Sequence, residues 1–308
     1  MPSGYQLRRL SSFKSVISLV SFSVTSKFIV CTTINQITQA LEKFASFSDW
    51  NLIIVGDLKT PKDYKLSGAL YLAPEDQVKI SGELSELIGW NCIQRRNFGI
   101  IEALKNGADV IATVDDDNIP FDDWGKNLKI GKSIKLKEYR INEIAFDPIG
   151  ATNESHLWHR GFPLELIPSR KYSDFDFVDL QVDVQADFWN GDPDIDAICR
   201  LEHRPECNFE SKYFPLTSNK LSPFNSQNTF LSGRVAREYF LYPHIGRMDD
   251  IWASYYVQAL GFKVIYEKPS VFQARNEHNL IEDMKREYIG YENNFKLIHD
   301  LYLSLIHI

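Results

Sequence analysis

No run of lysine or arginine interrupts this 308-residue chain: 34 basic residues are scattered against 41 acidic ones, for a formal charge of −7. Nucleic acid, whose phosphates demand a basic surface, is thereby excluded as a partner. Cysteine is scarce as well. Cys31, Cys92, Cys199 and Cys207 form no CxxC pair and no Cys/His spacing suited to zinc, so they read as free thiols in a reducing compartment. No apolar run approaches the ~20 residues of a membrane span. The stretch 16–24 follows Arg8, Arg9 and Lys14 like a secretory signal, but Ser18, Ser21 and Ser23 interrupt it and no small-residue cleavage site follows. Residues 1–27 therefore read as an N-terminal extension or an added surface strand, and the expected location is cytoplasmic or peripheral to a membrane, with no transmembrane span. Internal repeats and low-complexity segments are missing too. What is present is 44% hydrophobic and 13% aromatic, enough for one large core or two smaller ones.

The last six residues, Leu-Ser-Leu-Ile-His-Ile, match the in-frame translation of a common sequencing adapter. Residues 303–308 are accordingly treated as a non-native tail, outside the fold.

Hydrophobic patterning places a β-branched strand over residues 28–34, then Ile37, Ala40, Leu41 and Phe44 at helical spacing. Residues 50–55 form a continuously apolar strand that stops at Gly56-Asp57, as buried parallel strands do. A short strand over 69–72 precedes a polar turn at Pro74-Glu75-Asp76, and 97–105 has helical periodicity with Asn106-Gly107 as its cap. Residues 110–114 make another buried strand, ending on Asp115-Asp116-Asp117. Alternating strands and helices over the first ~120 residues predict a doubly wound, mostly parallel Rossmann-like sheet with helices on both faces. Beyond Pro120 the pattern gives way to Trp, Asp, Asn and Pro without long periodic runs, which predicts an irregular acceptor-side insertion. Order returns at 228–231, in a helix over 251–260 and in a strand over 263–266.

The aspartate run carries the first chemical signal. Side chains at the carboxyl ends of parallel strands face the crevice where α/β folds bind ligands. Adjacent carboxylates repel unless a cation sits among them, and such a hard oxygen site suits Mg²⁺ or Mn²⁺, which would neutralise a diphosphate leaving group. Arg95 and Arg96 precede the 97–105 helix, and a guanidinium there reaches a phosphate or the first aspartate; one of the two is expected to point inward. The acidic, aromatic stretch 183–197 fits a sugar or acceptor surface through Trp189, Asp194 and Asp196, with a Ca²⁺-type loop as the plainer competitor.

Taken together, Trp90-Asn91, Arg95-Arg96-Asn97-Phe98-Gly99, Gly107-Ala108-Asp109-Val110-Ile111 and Asp115-Asp116-Asp117-Asn118 resemble the nucleotide-sugar-binding half of GT-A glycosyltransferases. The similarity is nearest to the STELLO-like glycosyltransferases and more distant to the reversibly glycosylated polypeptides, which are UDP-arabinopyranose mutases. It implies a single GT-A domain over 28–302, with a donor half at 28–120 and an acceptor half at 121–302. It further implies that Asp115 or Asp116 meets ribose or metal and that Asp117 is the principal ligand of Mn²⁺ or Mg²⁺. Asp57, with Lys59 and Thr60 beside it, would touch the nucleotide, and Asn97 joins the donor side; a turn-forming role for Asp57 is the alternative. Asp250 is implied as general base with Asp249 as runner-up, although aspartates at a helix start are also favoured by its free N–H groups. His278 would complete the metal site and Arg275 would steady the diphosphate.

The expected function is metal-dependent, inverting transfer of a sugar from a UDP- or GDP-sugar to a glycan or other hydroxyl acceptor. Two alternatives stand beside it: a nucleotide-sugar mutase, and a catalytically silent sugar-binding protein.

Overall fold

The computed structural model describes residues 25–274 and 279–306. Strand and helix alternate through the first half: β1 (Lys27–Thr32), α1 (Gln39–Ala45), β2 (Asn51–Val55), β3 (Ala69–Leu72), α2 (Pro74–Ile80), α3 (Gly82–Ile88), α4 (Arg96–Lys105) and β4 (Val110–Asp115). There follow β5 (Asn118–Pro120), β6 (Ser133–Tyr139), β7 (Phe175–Gln181), β8 (Val184–Gly191), α5 (Ala197–His203), β9 (Leu216–Ser218), β10 (Asn228–Ser232), α6 (Gly233–Ala236), α7 (Asp249–Ala259), β11 (Val264–Gln273) and α8 (Leu280–Ile306). Eleven strands join one sheet in the order β3-β2-β1-β4-β10-β8-β11-β9-β6-β7, with β5 paired to β11.

The expected parallel unit is β3-β2-β1-β4, whose three neighbouring pairs all run parallel. Its central strands are apolar without alternation because both faces are covered. Ile29, Val30, Ile53, Ile54, Ile111 and Ala112 are buried almost completely. Helix α4 packs on this unit through Gly99, where a Cβ would stand 2.4 Å from Cγ1 of Val30 and 2.8 Å from Cγ2 of Val55. That close approach brings the start of α4, with Arg95 and Arg96, under the carboxyl ends of β1 and β4. Beyond β4 the sheet turns mixed: β10 is antiparallel to β4 and β8, while β8 and β11 are parallel.

Three sequence expectations change. Pro74-Glu75-Asp76 does not make a turn; it opens α2, with proline in the first helical turn and Asp76 accepting from the Ala73 N–H at 3.3 Å. The middle of the chain is less irregular than its composition suggested. Residues 184–191 form β8, a central and almost wholly buried strand, and β6 and β7 pair antiparallel across a long connection. Finally, α8 runs on through Ile306, into the stretch set aside as a tail.

Candidate active site

Strand β4 delivers the three aspartates to the crevice, and each meets a different environment. Asp115 accepts from the Arg96 guanidinium at 2.5 Å. That guanidinium is fully buried and also donates to the Val114 carbonyl at 3.0 Å and the Ser226 hydroxyl at 2.7 Å. Burial pushes the Asp115 carboxyl up, and Arg96 opposes that shift. Asp116 accepts from Thr33 Oγ1 at 2.5 Å and from Asn35 Nδ2 at 3.0 Å, while its carbonyl accepts from Thr38 Oγ1 at 2.5 Å. Because Thr38 also caps α1, the loop after β1 is tied to the aspartate run. Asp117 is left with less compensation. Burial, then Asp115 and Asp116, push its carboxyl up to about 7, with a hydrogen bond from Gln273 working the other way.

A cavity of about 260 Å³ is lined by these carboxylates together with Asp57, Cys92 and Arg95. Asp57 is buried; its carboxylate accepts from the Leu58 N–H at 2.7 Å and the Cys92 N–H at 3.1 Å. The carboxylate thus shapes the turn, and Asp57 is also part of the cavity lining. Arg95 and Arg96 are both buried, where one was expected to point inward. Arg96 takes the first aspartate. Arg95 stacks over Trp90 with 3.6 Å to the ring centroid and donates to Gln77 and Ser85, but its Nη2 has no partner. A buried donor without an acceptor is costly, and an incoming acceptor atom relieves it.

A second cavity, of about 670 Å³, adjoins the first and shares Asn91, Cys92, Ile93 and Asp115 with it. At the start of α7, Asp250 accepts two hydrogen bonds from Arg160, at 3.0 and 3.1 Å, and two from Ser226, at 3.0 and 3.3 Å. Asp249 accepts from Gln94 Nε2 at 2.9 Å. Burial and the neighbouring Asp250 push the Asp249 carboxyl up to about 7, against the pull of Arg160. Asp250 therefore accepts four hydrogen bonds from Arg160 and Ser226, whereas Asp249 accepts one from Gln94 and has its carboxyl raised.

Other expected site residues stand elsewhere. Asn97 turns its amide onto Leu241, donating to its carbonyl at 2.9 Å and accepting from its N–H at 3.0 Å, so it braces the fold and lines neither cavity. Lys59 is exposed and lines neither cavity. Trp189 is buried on β8 against His159 and Phe188. Asp194 pairs with Arg160 Nε at 2.8 Å, and Asp196 caps α5 while accepting from Trp158 Nε1 at 2.6 Å. All three are interior groups that line neither cavity: Asp194 and Asp196 satisfy buried donors, whereas Nε1 of Trp189 is a buried donor without a partner. Arg275 and His278 lie outside the described residues. Thr33, Asn35, Gln94, Arg160 and Ser226 escaped sequence reading. Thr33 and Asn35 could have been found, since they directly follow β1 at the same crevice, whereas nothing local to His159-Arg160-Gly161 signals its role.

Among the described residues no group of three or more Asp, Glu, His or Cys side chains is arranged to hold a metal ion. Mg²⁺ is commonly bound by only one or two carboxylates together with substrate phosphates. Asp117, crowded by two other carboxylates, and the unpartnered buried Oδ1 of Asn118 suit such a hard cation.

The fold is a mixed α/β sheet with helices around it and two adjoining cavities at the carboxyl edge of its parallel strands. No family model matches the chain. It is similar to "Probable glycosyltransferase STELLO1" of Arabidopsis thaliana, 22% identical over 267 residues, covering 79% of this chain and 35% of that protein. "Probable glycosyltransferase STELLO2" of the same plant is 24% identical over 186 residues, covering 56% of this chain and 24% of its own length. The resemblance to STELLO-like glycosyltransferases is thereby borne out, and the chain spans about a third or less of these relatives. A solved glucosyl-3-phosphoglycerate synthase of Mycobacterium tuberculosis shares 13% identity with a TM-score of 0.42, covering 92% of this chain and 81% of that one. Among the described residues no helix is long and apolar enough to cross a membrane.

Proposed function

We propose that this chain is a glycosyltransferase domain that moves a sugar from a nucleoside diphosphate donor to an acceptor hydroxyl. The donor would lie in the smaller cavity, between Asp57 and the aspartate run, and the acceptor in the larger one. The observation that carries the reading is the placement of Asp115, which lines both cavities and so marks where donor and acceptor meet. The resemblance to the STELLO glycosyltransferases supports the same class.

Asp249 is the general base. Its carboxyl, poised near 7, can accept the proton of an acceptor hydroxyl at neutral pH, which is the condition for efficient base catalysis. Gln94 orients it, and Asp250, held by Arg160 and Ser226, keeps its affinity for a proton high. Arg96 fixes Asp115 at the boundary. Asp117, with Asp115, would hold Mg²⁺ or Mn²⁺, which when bound neutralises charge on a diphosphate leaving group. One carboxylate base facing the acceptor implies direct displacement with inversion at the anomeric carbon.

The test is to incubate the chain with UDP- and GDP-sugars, a panel of sugar acceptors and Mn²⁺, following products by NMR. A glycoside of inverted configuration is the expected outcome. Ring-contracted nucleotide sugar formed without any acceptor would replace this reading with a mutase, and no turnover of any donor would leave a binding protein.

A further inference from the structure

Away from the cleft, two further cavities of about 420 and 530 Å³ share Arg170 and Tyr172, and neither has a residue in common with the donor and acceptor cavities. They form one groove beside the β6–β7 pair. Tyr139, Tyr172 and Tyr213 line its first half together with Thr152 and Ser155, and Asn142 and Asn219 line its second. Its walls thus mix aromatic rings with groups that donate and accept hydrogen bonds. Nε of Arg170 is a buried donor with no partner, although the rest of that guanidinium binds Asp147 and the carbonyls of Leu157 and Ser155.

Charges of both signs line the groove. Arg170 pairs with Asp147 and Arg140 with Asp176, and Lys171 stands with Glu143 and Asp174 in the same lining. Both guanidiniums of the lining are thus committed to carboxylates. At the rim, Phe175 and Phe177 are 38% and 59% exposed, although large aromatics are usually covered. Phe175 pairs with Tyr139 across the two strands, their ring centroids 5.8 Å apart, and Phe177 lies 5.8 Å from Phe175. A row of rings therefore runs from the groove wall to the open surface.

We propose that this groove and its aromatic rim bind a neutral glycan chain, at a place separate from the transfer cleft. Sugar C–H faces stack on exposed rings, and sugar hydroxyls, each both donor and acceptor, suit walls that mix hydrogen-bond donors with acceptors. The proposal stands on the groove alone and does not depend on the assignment of catalytic residues.

Native affinity electrophoresis tests it, with soluble mixed-linkage β-glucan, arabinoxylan or galactomannan cast in the gel and polygalacturonate as the anionic control. Retardation by at least one neutral polysaccharide and not by polygalacturonate is expected, and saturating UDP with Mn²⁺ should leave it intact. Phe177→Ala, which removes an exposed ring, and Tyr213→Phe, which keeps the ring and loses the hydroxyl, should each weaken the dissociation constant about 3- to 10-fold at unchanged melting temperature. Three results would overturn the proposal: no retardation in any neutral gel, stronger retardation by polygalacturonate, or retention that both variants keep and UDP abolishes. The last would place the glycan in the transfer cleft.

Discussion

Arg160 grips Asp250 with both terminal nitrogens, at 3.0 and 3.1 Å, while its Nε holds Asp194 at 2.8 Å. One guanidinium thus serves two carboxylates, and all three side chains are at most 6% exposed. Asp250 is also joined through Ser226 to Arg96 and Asp115, so a continuous polar chain runs from the larger cavity to the smaller. Removing the shared cation leaves two buried charges without compensation, a loss of ~3–5 kcal/mol in comparable pairs. Arg160→Met should lower stability by about that much in urea denaturation, and adding Asp250→Asn should recover part of it. If Arg160→Met unfolds at the wild-type urea midpoint, the network contributes nothing to stability.

The division of labour between the two neighbouring aspartates can be read kinetically. A general base typically contributes 10²- to 10⁴-fold, so Asp249→Asn should lower kcat by about that range with donor affinity nearly unchanged. The wild-type rate should rise with pH and level off above about 7, as the Asp249 carboxyl loses its proton. Asp250→Asn should cost stability as well as activity, because it weakens the hold of Arg160. A rate independent of pH between 5 and 9, or an Asp249→Asn enzyme of normal kcat, would remove Asp249 from the role.

Donor binding offers a separate test. Three carboxylates at the end of β4 repel a diphosphate unless a cation intervenes. UDP or GDP should therefore raise the melting temperature only with Mn²⁺ or Mg²⁺ present, and Asp117→Asn should abolish that metal dependence without lowering the stability of the metal-free protein. Equal stabilisation by nucleotide in excess EDTA would contradict the assignment of Asp117 to a cation.

How much of this was legible beforehand depends on whether the signal is local. Apolar runs ending on Gly56-Asp57 and on Asp115-Asp116-Asp117 marked the parallel unit and its crevice, because a strand buried on both faces is mostly apolar. Strand β8 was hidden by Gln185, Asp187 and Asn190, which suggested a loop. In the fold Gln185 donates to Asp187 at 2.8 Å and Asn190 accepts from the Phe209 N–H at 3.1 Å, so polar residues occur within a buried strand by satisfying one another and their neighbours. The roles of Asp194 and Asp249 hinge on Arg160, 34 residues from the one, and on Gln94, 155 residues from the other. No pattern within a short window carries such pairings.

Asp187 supplies the last test, a dependence of stability on pH. It lies on β8 directly opposite Glu267 of β11, with Gln185, Ser270 and Lys268 as its other neighbours. Burial pushes its carboxyl up to about 7, while the bonds from Gln185 and Ser270 work against the shift. In the unfolded chain an aspartate titrates near 3.9. Between those two values the native state binds more protons than the unfolded state, so this group makes stability fall as pH rises from about 4 to about 7. Above that window the loss is complete, because the folded protein carries a buried charge. Asp187→Asn keeps the shape and the oxygen that accepts from Gln185 but cannot ionise. Relative to wild type it should therefore gain ~1–3 kcal/mol between pH 4.5 and pH 8, read from urea midpoints at both values, less than the full shift because relaxation screens part of it. Asp117, Asp196 and Asp249 are raised in the same sense and remain in both proteins, so they drop out of the comparison. A variant-minus-wild-type difference that is the same at both pH values would mean that Asp187 is not held neutral in the fold.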